Sequence, residues 1–191
     1  MKNLDEQEIK IIKELIKDPR ISDNQLGKNT KVPIKTVNRK RKLLEQEGII
    51  RYYVSVNMGR KGTGRFGARQ LHIIKFKLGI TREQIINEFM QEKKVKTVFT
   101  DYIYASFLAE IEGHVAYVMI IEGKSDEDIV EVFNKEIIQS LRKNHGEDSI
   151  VSISTIRLSE PVRLFHNYLP FMNMDSGKIK KDWSTDFIFV E

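Results

Sequence analysis

The sequence of 191 residues contains no cysteine. This absence excludes disulfide bonds, a cysteine nucleophile, thiolate-bound zinc and cysteine-ligated iron–sulfur clusters. The chain also lacks any apolar run close to the ~18 residues that span a membrane. Its first residues are charged instead of forming an apolar targeting segment. We therefore expect a cytoplasmic protein without a membrane partner.

Histidine is scarce as well, and none of the four histidines has the close helical spacing of a zinc pair. No Ser/His/Asp arrangement and no catalytic carboxylate pair follows from the spacing of the polar residues. The sequence accordingly predicts no catalytic residue, no metal site and no cofactor, and we do not expect an enzyme.

Positive charge is concentrated in the first third of the chain. Residues 1–69 hold 17 Lys and Arg against 8 Asp and Glu, whereas residues 70–191 hold 15 against 19. A basic segment followed by an acidic one is typical of a module for a polyanion joined to a module with another task. The alternative is a Lys-rich surface that only maintains solubility.

The segment from Lys31 to Ile50 is the most informative, and it predicts a basic helix that ends at Gly48. Val37 and Leu44 are seven residues apart and therefore share one helical face. At about 100° per residue, the opposite face carries one amide and three cations, Lys35, Asn38, Arg39 and Lys42. A helix with one buried edge and a cationic outer face fits a DNA major groove.

Two further helices precede the basic helix. Asp5 and Glu8 have the spacing of a capping box at the start of the first, and Ser22 precedes the second. After the basic helix, residues 49–56 are rich in β-branched and aromatic side chains, which predicts a strand. Three helices followed by a strand form a winged helix-turn-helix, which we place at residues 1–57.

The predicted DNA contacts on the basic helix fall into two groups. Arg39 is a candidate for reading guanine, and Asn38 is a candidate for reading adenine. Lys35 and Lys42 are candidates for phosphate contacts, which position the protein without specifying sequence. Thr36 lies beside them near the start of the helix. The alternative for the outer residues is a solvated helix face.

Outside the basic helix, we expect phosphate contacts from Ser22 and Gln25 at the start of the second helix and from Arg51 in the wing. Capping the helix is an equally good role for Ser22. Tyr53 is a candidate either for a backbone contact or for the core.

A linker rich in glycine and cations is predicted at residues 58–69. Gly62 to Gly67 match the pattern G-x-G-x-x-G, but a dinucleotide site needs a strand before this motif and a helix that opens at it. A hinge whose cations lie near DNA phosphates is the better interpretation.

Residues 70–158 predict a second domain with the element order β-α-β-β-α-β. Helices follow Thr81 and Ser125, and the predicted strands cover 70–78, most of 95–122 and 149–158. This order is the ferredoxin-like arrangement. Helices would cover one sheet face, and the other face would need a partner, commonly a second copy. The fold class is therefore α+β.

A tail at residues 159–191 follows this domain and holds six of the 17 aromatic residues of the chain. This content is too apolar for a disordered segment. We expect the tail either to pack on its own domain or to form an arm that reaches another subunit.

Residues 4–57 resemble the N-terminal part of the Lrp/AsnC, or feast/famine, transcription regulators. The resemblance is carried by the Leu4-Asp5 opening, the Arg20-Ile21-Ser22 exit of the first helix and the Glu-Gly-Ile-Ile stop after the basic helix. The element order of residues 70–158 is also similar. Two departures are Lys31, where the family usually has Gly, and Arg41, where an apolar residue is expected.

The resemblance implies a regulator that dimerises through its C-terminal sheets and assembles further into larger oligomers. Paired recognition helices would read a roughly palindromic site in successive major grooves about 34–36 Å apart. A small-molecule effector is implied as well. The family's effector turn, Gly-Asp-Tyr-Asp-like, has two partial counterparts here, one at Asp101 and Tyr102 and one at Gly113 and His114.

We therefore predict a sequence-specific transcription regulator that binds double-stranded DNA as a homo-oligomer. One alternative is an enzyme similar to the sirohaem decarboxylases, which resemble this architecture and would use His114, His145 and Arg157 around a tetrapyrrole. The cationic helix argues against it. Another alternative is an architectural protein that coats DNA with little sequence preference.

Overall fold

The computed structural model describes residues 3–54, 67–91 and 98–190 and divides the chain into two compact units. Unit 1 combines Met1–Ser55 with Glu160–Glu191, and unit 2 is Val56–Ser159. Most of the predicted linker, with all but the last glycine of its G-x-G-x-x-G pattern, lies outside the described residues. None of the helices in the described part of the chain has the length and apolar character of a membrane span.

Three helices form the N-terminal part of unit 1, α1 (Glu6–Lys17), α2 (Asp23–Thr30) and α3 (Ile34–Gln46). The predicted capping box starts α1. The Asp5 carboxylate accepts from the Glu8 N–H at 2.8 Å, and the Glu8 carboxylate accepts from the Asp5 N–H at 3.0 Å. The core between the helices contains four fully buried side chains, Ile11, Leu26, Val37 and Leu44.

The strand predicted for residues 49–56 is not formed over residues 49–54, the part of it that the structure describes. Tyr53 and Val54 are 78% and 92% exposed, so Tyr53 is not a core residue. A strand needs a hydrogen-bonding neighbour, and no described segment of this chain pairs with these residues. Strand propensity alone does not supply that neighbour.

The tail packs on α1 within unit 1. The Tyr168 hydroxyl donates to the Ile16 carbonyl at 3.2 Å, and the Lys178 ammonium donates to the Asp18 carboxylate at 2.5 Å. The tail contains a two-stranded hairpin, β5 (Met174–Asp175) and β6 (Lys178–Ile179), and it buries Ile179 and Ile188. The tail therefore packs within the chain, on helix α1 of unit 1.

Unit 2 is a four-stranded antiparallel sheet with helices on one face. Its elements are, in chain order, β1 (Ala68–Phe76), α4 (Arg82–Gln91), α5 (Val98–Tyr102), β2 (Ile103–Ile111), β3 (His114–Gly123), α6 (Asp126–Val132), α7 (Gln139–His145) and β4 (Ile150–Leu158). A π-helical turn, Phe133–Ile138, joins α6 to α7. The strand order β2-β3-β1-β4 confirms the ferredoxin-like fold.

One prediction for this unit was wrong. Residues 98–102, which we expected within a strand, form the short helix α5. Phe99 and Tyr102, three residues apart, pack from this helix against the core. A helical turn places both side chains on one side, where a strand would separate them.

The two faces of the sheet differ. Ile74, Tyr117 and Met119 face the helices and are almost fully buried. The opposite face, which we call the open face, carries Leu71, Ile73, Phe107, Val118, Ile120 and Ile156 in register across all four strands. Phe107 is 60% exposed and Ile156 is 48% exposed. The open face is therefore an apolar surface without a cover among the described residues.

Candidate DNA-binding surface

α3 is held in unit 1 by one apolar edge. Val37 and Leu44 are fully buried, as their spacing predicts, whereas Ile34 is 51% exposed. Pro33 precedes the helix, and no side chain caps its first turn. Free backbone N–H groups at a helix start are donors for an anion such as phosphate.

The outer face of α3 presents three cations. Lys35, Arg39 and Lys42 are exposed, and none of them makes an ion pair or hydrogen bond with another described residue. Thr36 lies beside them and is half-buried. The structure therefore brings the predicted phosphate and guanine candidates together on one accessible face.

Asn38 lies on the same outer face but has a partner. Its Nδ2 donates to the Asp23 carboxylate of α2 at 2.8 Å. The amide keeps its second N–H and its carbonyl oxygen. These two groups are the ones that pair with adenine.

Arg41, the departure from the family pattern, is paired with acids. Its guanidinium donates to Asp23 and to Glu45, each at 3.1 Å, and to the Ile21 carbonyl at 3.1 Å. Its charge also lies 5.5 Å from the centre of the Tyr52 ring. Arg41 thus ties α3 to the start of α2 and is not available to DNA.

Lys40 of α3 has a structural role that its sequence position did not reveal. It is only 7% exposed. Its ammonium hydrogen-bonds to the Asp5 carboxylate and lies 3.9 Å from Glu8. The Lys40 hydrogen bond holds the pKa of the Asp5 carboxyl below its usual value. The sequence did contain an indication that Lys40 is buried. On the helical wheel it lies about 60° from the buried Val37, and it therefore points inward.

The turn between α2 and α3 brings the two helices close. Lys31 ends α2 in the left-handed region, with φ of 57°. A Cβ on Gly27 would meet the Val32 carbonyl oxygen at 3.0 Å. A side chain at position 27 would therefore have to displace this carbonyl by a few tenths of an ångström, which favours glycine.

The remaining DNA candidates are at the ends of the helices. Ser22 caps α2 by accepting from the Gln25 N–H at 3.2 Å, and the Gln25 side chain donates to Asn29 at 2.7 Å. Both residues are exposed, as is Arg51 beyond the end of α3. The capping role of Ser22 is therefore observed, and its DNA contact stays a prediction.

The end of α3 confirms the predicted stop at Gly48. The Gly48 N–H donates to the Glu45 carbonyl and the Ile49 N–H donates to the Leu44 carbonyl, each at 3.0 Å. With Gly48 at φ of 68°, this is a Schellman motif.

The effector candidates lie at two places in unit 2. Asp101 and Tyr102 are in α5 at the start of β2, whereas Gly113 and His114 follow its end. Nine residues of β2 separate the pairs, which corresponds to about 27 Å. The His114 Nδ1–H donates to the Phe76 carbonyl at 2.7 Å. Within one chain, the two pairs do not form one site.

The tetrapyrrole candidates are also separated. His145 packs edge-on against Phe76 and pairs with Glu88. Arg157 lies opposite Gln70 on β1. Gln70 is six residues from Phe76, the residue that His145 contacts, and six residues of a strand span about 20 Å. The described residues therefore do not bring these side chains around one ligand.

Residues 4–51 match the family model described as winged helix-turn-helix DNA-binding. No curated protein matches the sequence. Solved structures with a similar fold include a transcriptional regulator of Neisseria meningitidis in complex with L-Met, which is 14% identical with a TM-score of 0.60 over 85% of this chain and 94% of that chain.

Two further similar structures are LrpC of B. subtilis and AsnC of E. coli. LrpC is 21% identical with a TM-score of 0.56 over 85% of this chain and 99% of that chain. AsnC is 14% identical with a TM-score of 0.56 over 86% and 97%. The chain thus has a winged helix-turn-helix DNA-binding domain at residues 4–51 and the fold of the Lrp/AsnC regulators.

Proposed function

We propose that the protein is a cytoplasmic, sequence-specific transcription regulator that binds double-stranded DNA through α3 as a homo-oligomer and has no catalytic role. The observation that carries this proposal is the division of the cations on α3. Lys40 and Arg41 are paired with acids of unit 1, whereas Lys35, Arg39 and Lys42 are exposed and unpaired among the described residues. Unpaired cations on one helix face can replace the counterions of phosphates.

Fluorescence anisotropy on the gene's own upstream DNA and on scrambled DNA, across a salt series, tests the proposal. We expect a preference of at least ~10³ for a specific site. Arg39→Ala should reduce that preference, because a guanine contact is worth about 1–3 kcal/mol. Equal, salt-steep binding to both DNAs would indicate an architectural protein, and no binding at low salt would exclude the DNA function.

Two lysines of α3 provide a matched control. Lys42→Met should weaken binding to all DNA and lower the salt slope by about one, with little change in thermal stability. Lys40→Met should leave the salt slope unchanged but destabilise the fold by about 1–3 kcal/mol, because it leaves Glu8 buried without this cation. The reverse pattern would show that the wrong face of α3 has been assigned to DNA.

We propose the open face as the dimer interface. The six side chains that define it are apolar, Phe107 and Ile156 are exposed and the other four are half-buried, and a second copy would bury them further. Val118→Arg should convert dimers to monomers in sedimentation velocity, since it places an unpaired charge in the contact. Val130→Arg on α6, which is 47% exposed on the helical side, should leave the dimer intact.

We also propose that a small-molecule effector modulates DNA binding. The Neisseria structure contains L-Met, which makes amino acids the first probes. An effector changes DNA affinity only if it binds the free and DNA-bound forms differently. Anisotropy with each amino acid added therefore tests this proposal, and an unchanged affinity with all of them would contradict an amino-acid effector.

A further inference from the structure

The chain passes twice between the two units. Unit 1 contains residues from both ends of the sequence and unit 2 lies between them, so the backbone crosses once after Ser55 and again after Ser159. Both connections leave unit 2 at neighbouring points, because Arg69 near the start of β1 pairs with Leu158 at the end of β4. The DNA-binding unit is therefore joined to unit 2 by two covalent connections.

The second connection is the shorter one. Leu158 is the last residue of β4, and Leu164 forms a bridge with Tyr168 at the start of the tail. The six Cα–Cα steps from Leu158 to Leu164 span at most about 20 Å. The first connection, from Val54 to Gly67, has 13 steps and could extend to about 45 Å. The second connection therefore sets the tighter limit on the separation of the units.

The sequence of the second connection, which we call the tail junction, favours a stiff chain. The tail junction is residues 159–163, Ser-Glu-Pro-Val-Arg, and it contains no glycine. The ring of Pro161 fixes its own φ and favours an extended conformation at Glu160. Residues 58–69 of the first connection instead contain four glycines, which have the widest choice of backbone conformations. The tail junction is therefore the more restrictive of the two connections in composition as well as in length.

The tail is fixed to the same body as the recognition helix. Tyr168 and Lys178 hydrogen-bond to the end of α1. α1 shares a buried core with α3, to which Ile11 and Val37 belong. The Lys40 ammonium of α3 also hydrogen-bonds to the carboxylate that caps α1. A displacement of α3 relative to unit 2 would therefore be resisted by the tail junction.

We propose that the tail junction is a second tether that limits the movement of α3 relative to β4, and that it thereby sets the half-site spacing that the oligomer accepts. The consequence for DNA rests on the proposed function, in which two recognition helices reach successive major grooves about 34–36 Å apart. On the glycine-rich connection alone, each helix could reach its groove independently, and other spacings would be tolerated. A tether of at most about 20 Å removes that freedom.

Double electron–electron resonance tests the tether without DNA, because a chain without cysteine can be spin-labelled at chosen sites. Asn24→Cys on α2 and Glu83→Cys on α4, both at exposed positions, report the distance between the units, and dilution with unlabelled protein removes distances between copies. The full-length protein should give one narrow distribution. A Gly-Ser segment of about eight residues inserted between Ser159 and Glu160 should widen it at least about twofold. The same segment added after Glu191 is the control, and equal widths for the two insertions would overturn the proposal.

Anisotropy on operators with altered spacing tests the consequence for DNA. Half-sites moved apart by half a helical turn, roughly 5 bp, should weaken wild-type binding about tenfold, because only one helix of a pair then reaches its groove. The insertion after Ser159 should reduce this loss to about threefold and leave binding to a single half-site unchanged, and Pro161→Gly should act in the same direction. Equal wild-type affinity for all spacings would contradict the proposal. Absence of binding to any DNA would contradict the proposed function instead, and the distance distributions would then decide whether the tether exists.

Discussion

Individual side chains of α3 show where sequence reasoning succeeds and where it does not. The helical wheel placed Val37 and Leu44 inside and Arg39 outside, as observed. The helical wheel did not predict the hydrogen-bond partner of Lys40, which is Asp5, 35 residues earlier in the sequence. A long side chain reaches a neighbouring helix, and periodicity within one helix does not contain that information.

His72 predicts a pH dependence of stability. It is 1% exposed and stacks on Phe133 with the ring centres 4.0 Å apart. Its Nδ1 lies 3.1 Å from the Thr155 hydroxyl, and its Nε2 has no hydrogen-bond partner among the described residues. Burial lowers its pKa to about 4, from 6.5 for an ordinary histidine. The folded protein therefore resists a proton that the unfolded chain accepts.

The stabilising contribution of neutral His72 is complete above about pH 6.5 and is lost as the pH falls towards 4, by up to about 3 kcal/mol. Thermal unfolding followed from pH 7 to pH 4 should show this loss in the wild type. It should be smaller in His72→Leu and unchanged in His166→Leu, which alters an exposed histidine. An equal slope in His72→Leu would show that other groups cause the acid sensitivity.

At the scale of elements, segments with local signals were predictable. The capping box at Asp5, the helix that follows Thr81 and the glycine stop at Gly48 all form as predicted, and Thr81 and Gln84 form a second capping box. Residues 49–54 and 98–102 were predicted wrongly because their β-branched and aromatic side chains favour strands only where another strand is available. The partner, and not the propensity, decided their structure.

Lys31 provides a test at this scale. Lys31 adopts the left-handed backbone conformation, which glycine usually occupies at the end of a helix. Lys31→Gly should raise the stability of unit 1 by up to about 1 kcal/mol relative to Lys31→Ala, because only the alanine retains the steric strain of a Cβ. Both variants remove the same charge, so chemical denaturation compares the conformational effect alone. Equal midpoints would show that the turn relaxes without cost.

At the scale of the whole molecule, the DNA-binding unit is assembled from two distant parts of the chain. The aromatic content of the tail predicted that it would be ordered, but its docking site on α1 could not be predicted. Tyr168 contacts Ile16, which is 152 positions away in the sequence, and Lys178 contacts Asp18, which is 160 positions away. No local pattern in the sequence encodes such a separation.

Removal of residues 160–191 should therefore loosen α1. Hydrogen exchange should become faster in α1, while β1 and β3 keep their protection because unit 2 retains all its strands. Tyr168→Phe should have a smaller effect in the same direction, since it removes one hydrogen bond worth about 1 kcal/mol. Phe171→Leu, at a position 64% exposed, serves as the control. Unchanged exchange in α1 after truncation would show that the tail is not required there.

The packing of the tail on α1 also determines when the DNA-binding unit can be completed during synthesis. A ribosome that adds about 5–20 residues per second needs roughly 8 to 30 s between Ile16 and Tyr168, which are 152 positions apart. Unit 2 leaves the ribosome within that interval and can fold first. α1 therefore emerges early but acquires its contacts with the tail late, and a nascent chain halted inside unit 2 carries the three N-terminal helices without those contacts.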